Sequence, residues 1–251
     1  MQRPTLPEGF GTPGLLTLLD LLHFLPDTVV FIKDTQGRYL YGNETLLRRL
    51  GLPSPGALTG KQASDVFPSP LGLNYSQQDQ AVLTGKPLTE HLELHLYTGG
   101  RSGWCLTTKR PLSLPSGQPL GLMGISRDLP VSSSNGTALS AAVAHIHEHY
   151  AQPLPIAALA RQTRMSLVTF ERQIKRVYGV TPSQLLTRAR VDAATRLLQT
   201  TDLPVARIAV ECGYFDHSAF TRIFKGTVGV TPRQFRQLFL AETRRRPDDS
   251  G

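Results

Sequence analysis

Apolar residues change their spacing once along this chain. In the first half they alternate with polar ones. Leu92, Leu94 and Leu96 interleave with His91, Glu93 and His95, which predicts a strand with the leucines on its core face and the other three facing out. Thr28–Lys33 and Arg38–Tyr41 flank the turn residues Asp34-Thr35-Gln36-Gly37, a hairpin signal. Asn43–Leu50 reads as a helix capped by Asn43, Gly60–Phe67 as irregular and Tyr75–Leu83 as helical. Three strands follow, Thr89–Leu96, Gly103–Leu112 and Pro119–Arg127, with turns at Gly99-Gly100 and Pro115-Ser116-Gly117. Ahead of them, Gly14–Leu25 predicts a short helix that is apolar on most sides. It suits packing on its own domain or a dimer contact equally well.

In the second half the apolar positions take helical spacing, and the chain says nearly the same thing twice. Leu154–Ala157 (LPIA) recurs as Leu203–Ala206 (LPVA), and Gly179–Pro182 (GVTP) as Gly229–Pro232 (GVTP). Between these anchors Phe170 matches Phe220, Arg172 matches Arg222 and Lys175 matches Lys225. Such a repeat marks a duplicated supersecondary unit. Each copy reads as helix, turn, helix. Pro155 and Pro204 suit a first helical turn, Gly213 a turn needing positive φ, and Ser166 and Asp216 the caps of the second helices. In copy two, Ala219, Phe220, Ile223 and Phe224 share an apolar back, and the opposite face is polar and cationic. That is the layout of a helix that enters a major groove. Thr181–Gln199, with Pro182 in its first turn, is a long helix between the copies. Its span of about 27 Å suits it to set a reading distance along DNA.

The run Ile208-Ala209-x3-Gly213-Tyr214-x3-Ser218-x-Phe220-x3-Phe224-Lys225-x3-Gly229-x-Thr231-Pro232-x2-Phe235-Arg236 resembles the signature of AraC/XylS-type transcription regulators. The resemblance covers about residues 139–240 and implies two helix-turn-helix units joined by one helix. Copy one departs from it at Arg164, where copy two has Gly213, and at Ile174, where copy two has phenylalanine. By position in the motif, Val168, Glu171 and Arg172 in unit one, and His217, Ser218, Thr221 and Arg222 in unit two, face the groove. Lys175 and Lys225 serve phosphate or scaffold contacts. Arg172 and Arg222 suit guanine best, although either is also a candidate for an ion pair within the domain. Residues 17–129 resemble a PAS domain through Pro26-Asp27, Asp34-x2-Gly37-Arg38, Asn43, Gly60-Lys61, Asp65-Val66-Phe67, Trp104 and Gly124–Asp128. That resemblance implies a small pocket between an antiparallel sheet and a helical face, sensing a ligand or mediating dimerisation. Tyr41, Phe67, Trp104 and Met123 are candidate pocket or core residues.

The reading is therefore an α+β chain: residues 1–14 loose, 15–130 PAS-like, 131–138 a linker, 139–241 an all-α DNA-binding domain, and 242–251 a basic then acidic tail. Charge sharpens it. Residues 131–251 carry 16 Lys+Arg against 9 Asp+Glu, whereas residues 1–130 carry 11 against 10, so the basic excess lies with the duplicated helices. Double-stranded DNA is the expected partner. A homodimer is expected too, with RNA polymerase and a small-molecule ligand as further partners that the resemblance admits. Cys105 and Cys212 are too few and too far apart for a disulfide framework, which fits a cytoplasmic protein. Leu15–Leu25 is half a membrane span and no signal peptide is expected. Lys61–Thr84 has no cysteine for a flavin adduct and Asn74–Thr84 no histidine for heme, so no cofactor is expected. The His91/Glu93/His95 and His145/His149 groups are read as solvent-facing, not as metal sites. An enzyme with a DNA-binding appendage, such as a DNA-repair alkyl-transferase, is the alternative; it would need a nucleophilic cysteine that neither position offers.

Overall fold

The computed structural model describes residues 13–96, 102–129 and 138–245. The expected loose start before residue 13, the Gly99-Gly100 turn, the linker at 131–137 and the tail from 246 lie outside the described residues. Contacts divide the chain into two compact units, Met1–Asp128 and Leu129–Gly251.

The first unit opens with helix α1 (Pro13–His23) and strands β1 (Thr28–Lys33) and β2 (Tyr39–Gly42). Helices α2 (Glu44–Leu50), α3 (Ala63–Val66) and α4 (Leu71–Leu83) follow, then β3 (Leu88–Leu96), β4 (Ser102–Ser113) and β5 (Pro119–Asp128). The segment read as irregular thus contains a short helix, and the next helix starts four residues early. The strands form one antiparallel sheet in the order β2-β1-β5-β4-β3. Asn43 caps α2, its side chain accepting from the Leu46 N–H, and also accepts from the Val30 N–H at 3.0 Å. One side chain therefore fixes both a helix start and the adjacent strand.

The sheet is covered on both faces. Leu19 of α1 packs on Val30, Ile32 and Tyr41, with Leu15, Leu22 and Met123 beside them. On the other face Val29, Phe31 and Tyr39 meet Leu46, Leu47 and Leu50 of α2 and Val82 of α4. The second covered face corrects two expectations. Glu93 does not face out: it is buried with Leu92 and Leu94, and His95 is half-buried. The alternation was real, but both of its faces are interior, one apolar and one polar. Of the four candidate pocket residues, Phe67 lines a cavity on the α2–α4 side. Tyr41 and Met123 belong to the α1 face, where the Tyr41 hydroxyl donates to the Leu19 carbonyl at 2.9 Å. Trp104 pairs with Leu94 across β3–β4, away from the cavity.

The second unit is all helical: α5 (Ala138–His149), α6 (Ile156–Gln162), α7 (Leu167–Tyr178), α8 (Pro182–Thr200), α9 (Val205–Glu211), α10 (His217–Val228) and α11 (Pro232–Arg245). Pro155 and Pro204 stand as caps one residue ahead of α6 and α9, not inside them. The repeated GVTP stretches stop one helix and start the next. Gly179 and Gly229 take φ of 76° and 87° at the ends of α7 and α10. Val180 and Val230 are buried. Thr181 forms a capping box with Gln184, and Thr231 exchanges the same hydrogen bonds with Gln234. The prolines then open α8 and α11. Among the described residues, no helix is long and apolar enough to cross a membrane.

Candidate nucleic-acid interface and buried cavity

Each helix-turn-helix turn is a Schellman motif. In unit one the Arg164 N–H donates to Arg161 O at 2.9 Å and Met165 N–H to Ala160 O at 3.1 Å. In unit two the Gly213 N–H donates to Val210 O and Tyr214 N–H to Ala209 O, both at 2.9 Å. Arg164 and Gly213 hold the left-handed position, φ 58° and 79°. The second helices are capped as expected. Ser166 accepts from the Thr169 N–H, and Asp216 from the N–H groups of Ser218 and Ala219. Those two bonds, with lesser help from the charges of Arg222 and His217, hold the Asp216 carboxyl below its usual range.

The apolar backs of α7 and α10 are shut into the domain. Phe170 and Ile174 are fully buried in one, Phe220 and Phe224 in the other. Unit two has an aromatic core that runs Tyr214, Phe220, Phe224, Phe235 and Phe239 with ring centroids 4.8–5.6 Å apart. The fronts are open. Val168, Glu171, Arg172 and Lys175 are exposed on α7, and His217, Ser218, Arg222 and Lys225 on α10. Thr221 differs from these eight: it is half-buried and its hydroxyl is enclosed without a hydrogen-bond partner. Between the units, α8 runs 19 residues, about 28 Å. Its Arg190 donates from Nε to Tyr150 O at 2.8 Å and from Nη2 to Gln152 O at 3.2 Å, and its guanidinium lies 5.3 Å from the Tyr214 ring centre. One side chain thus ties the linking helix to both the end of α5 and the turn of unit two.

In the first unit a small cavity of about 40 Å³ lies between the sheet and α2–α4, lined by Phe31, Tyr39, Phe67 and Tyr75 and by polar groups that include Lys33, Glu93, His95 and Lys109. Asp79 of α4 accepts from Lys33 and, at 2.7 Å, from Lys109. Lys109 also donates to Gln78 Oε1 at 3.0 Å, Gln78 donates to Glu93 Oε1 at 2.7 Å, and Glu93 Oε2 lies 3.1 Å from His95 Nε2. Burial lowers the Lys33 pKa despite Asp79. Burial also opposes the charge on Glu93, yet the hydrogen bond and charge of His95, with Lys109 behind them, hold its carboxyl at about 2. This much buried charge survives only because each group meets a partner. Sequence reasoning missed Lys33, Asp79 and Lys109 altogether. The one signal for them was a lysine closing an otherwise apolar β1.

A family profile described as a helix-turn-helix domain matches residues 159–238, and one described as a PAS fold matches residues 22–131. The transcriptional activator RhaS of Salmonella schwarzengrund is 34% identical over 120 residues, which are 48% of this chain and 43% of RhaS. The chain therefore spans less than half the length of that relative. Residues 159–238 are thus similar to a helix-turn-helix domain family, and residues 22–131 to the PAS fold. Among solved structures, the DNA-binding domain of the global transcriptional factor AdpA in complex with a target DNA is 31% identical; the match covers 44% of this chain and 100% of that one, with a TM-score of 0.42. The C-terminal domain of AraT, a response regulator from Geobacillus stearothermophilus, is 30% identical over 48% of this chain and 94% of that one, with a TM-score of 0.40.

Within the helix-turn-helix half, the sequence pattern also left Phe215 unremarked. It is 92% exposed and immediately precedes the Asp216 cap. Val168, 73% exposed near the start of α7, is the comparable apolar residue in unit one.

Proposed function

We propose that the chain is a sequence-specific, DNA-binding transcription regulator whose PAS half senses a small molecule and carries the dimer contact. The observation that carries this reading is the pair of capped helices with buried aromatic or aliphatic backs and exposed polar, cationic fronts, held apart by one continuous helix. Val168, Glu171 and Arg172 present one set of groups and His217, Ser218 and Arg222 another, so one protomer reads an asymmetric site of about two helical turns. Lys175 and Lys225 sit where phosphate contacts position the helices. Selection of binding sites from random duplexes with the full chain, followed by titration at several salt concentrations, tests this. An enriched asymmetric sequence whose affinity falls with salt supports it; equal affinity for random duplexes at moderate salt overturns it.

The PAS cavity combines aromatic walls with a few placed polar groups, the composition of a small-molecule site. Leu18, Leu21 and Phe24 leave an exposed apolar strip along and just past α1, suited to a second copy of the chain. Sedimentation of the full chain and of a Leu21→Glu variant reads that contact: a variant that stays folded and becomes monomeric supports it, and a monomeric wild-type chain at tens of micromolar overturns it. A cytoplasmic regulator acting on RNA polymerase fits this reading. The enzyme alternative has little chemistry behind it. Cys212 is buried, and burial with the nearby Glu211 charge pushes its thiol up to about 11, the opposite of an activated nucleophile.

A further inference from the structure

β3 and β4 place Glu93 directly opposite Cys105, and His95 lies two residues further along the same face of β3. The carboxylate, imidazole and thiol donor atoms all lie within 4.8 Å of one another. Glu93 Oε2 and His95 Nε2 are 3.1 Å apart. Metal–ligand bonds of about 2.0–2.3 Å place neighbouring donors of a tetrahedral ion about 3.3–3.8 Å apart, so small side-chain rotations bring the three onto one centre. Glu93 and Cys105 are buried, which keeps the thiol from bulk water and oxidants.

We propose that Glu93, His95 and Cys105 form a transition-metal site in the wall of the PAS cavity, of the class that takes Zn(II). One sulfur, one nitrogen and one oxygen donor form a mixed set that suits borderline ions and not Mg²⁺ or Ca²⁺. Supporting hydrogen bonds are already in place. Gln78 Nε2 donates to the Glu93 oxygen that His95 leaves open, and the Cys105 sulfur lies 3.8 Å from the Thr107 hydroxyl. Lys109, whose charge reaches Glu93, is occupied by Asp79 and Gln78. Glu93 and His95 line the cavity, so the remaining coordination positions open into it and give a bound small molecule something to ligate. Cys105 gives up its thiol proton when the metal binds.

The test uses the full chain, stripped with a chelator, dialysed under reducing conditions and titrated with Co(II). One equivalent should bind, giving an intense sulfur-to-cobalt charge-transfer band in the near-ultraviolet and tetrahedral bands in the visible, all removed by Zn(II). Gln78→Ala should weaken binding by about 10- to 100-fold. Cys105→Ser should weaken it further and abolish the charge-transfer band, with the thermal transition and DNA binding kept as controls on folding. The band is read in the wild-type chain itself, so an unstable variant leaves the test intact. Uptake without a sulfur band, or no uptake above a buffer control, overturns the proposal and leaves a plain ion pair beside a thiol. DNA binding is measured separately, so failure here leaves the regulatory reading untouched, and the reverse holds.

Discussion

Arg164 and Gly213 stand at the same place in the two helix-turn-helix turns, with the same two hydrogen bonds and both with positive φ, 58° and 79°. One position tolerates the longest cationic side chain and the other carries no side chain at all. Positive φ alone does not explain the glycine, since Arg164 accepts it. The difference lies in the neighbour. A Cβ on Gly213 would stand 2.8–2.9 Å from the backbone of Ala151 at the end of α5, an approach that backbone cannot yield to cheaply. Arg164 is exposed. The two turns share a local geometry but not a tertiary role: the second is pressed against the start of the domain, and Arg190 of α8 closes the same junction from the other side.

The largest effect should therefore come from giving both turns the same side chain. Gly213→Ala combines left-handed strain of roughly 1–2 kcal/mol with overpacking of about 1–3 kcal/mol. Arg164→Ala should stay within about 0.5 kcal/mol of wild type. Urea unfolding of the full chain, followed through the helical signal, reads both; equal losses would break the contrast. Next comes recognition. Arg172→Ala and Arg222→Ala should each cost about 1–3 kcal/mol in binding to a selected site, each relaxing sequence preference at a different end of it. Footprinting against a set of point-mutated sites locates the relaxed positions, and relaxation at the same end for both would contradict the two-unit reading.

How much of this was legible in the sequence follows from where each signal arises. The duplicated unit, its caps and its exposed front were readable because they are local: Ser166, Asp216, Thr181 and the two GVTP stretches act within four residues of themselves. The sheet and its strands were readable for the same reason. The polar interior was not. Glu93 and His95 alternate with leucines just as solvent-facing residues would, and only α4, arriving with Gln78 and Asp79, turns that face into an inside. The Ala151 backbone against Gly213 was equally invisible, being 62 residues away in the chain.

Smaller effects refine the contrast between the units. Lys225→Ala, if this side chain meets a phosphate, should lower affinity evenly across sequences and reduce the salt slope by about 0.9. An unchanged slope would assign Lys225 to the scaffold. The caps should differ least, and mainly in their response to pH. Ser166→Ala should cost about 1 kcal/mol at any pH. Asp216 has a depressed pKa, so its contribution is present above the ordinary carboxylate range and lost as pH falls through the lower folded value. Melting temperatures of the wild type and of Asp216→Ala should therefore converge on acidification, while those of the wild type and of Ser166→Ala stay apart.

A continuous α8 also acts as a gear. Each residue added to or removed from it turns unit two by about 100° and shifts it by about 1.5 Å. Each base pair added to the site turns the second half-site by about 35° and shifts it by about 3.4 Å. No single insertion in the helix matches a single insertion in the duplex, in angle or in length. Proteins built on this plan can change the bases they read one side chain at a time, but the spacing between half-sites is locked in phase with the helix and cannot drift by single steps.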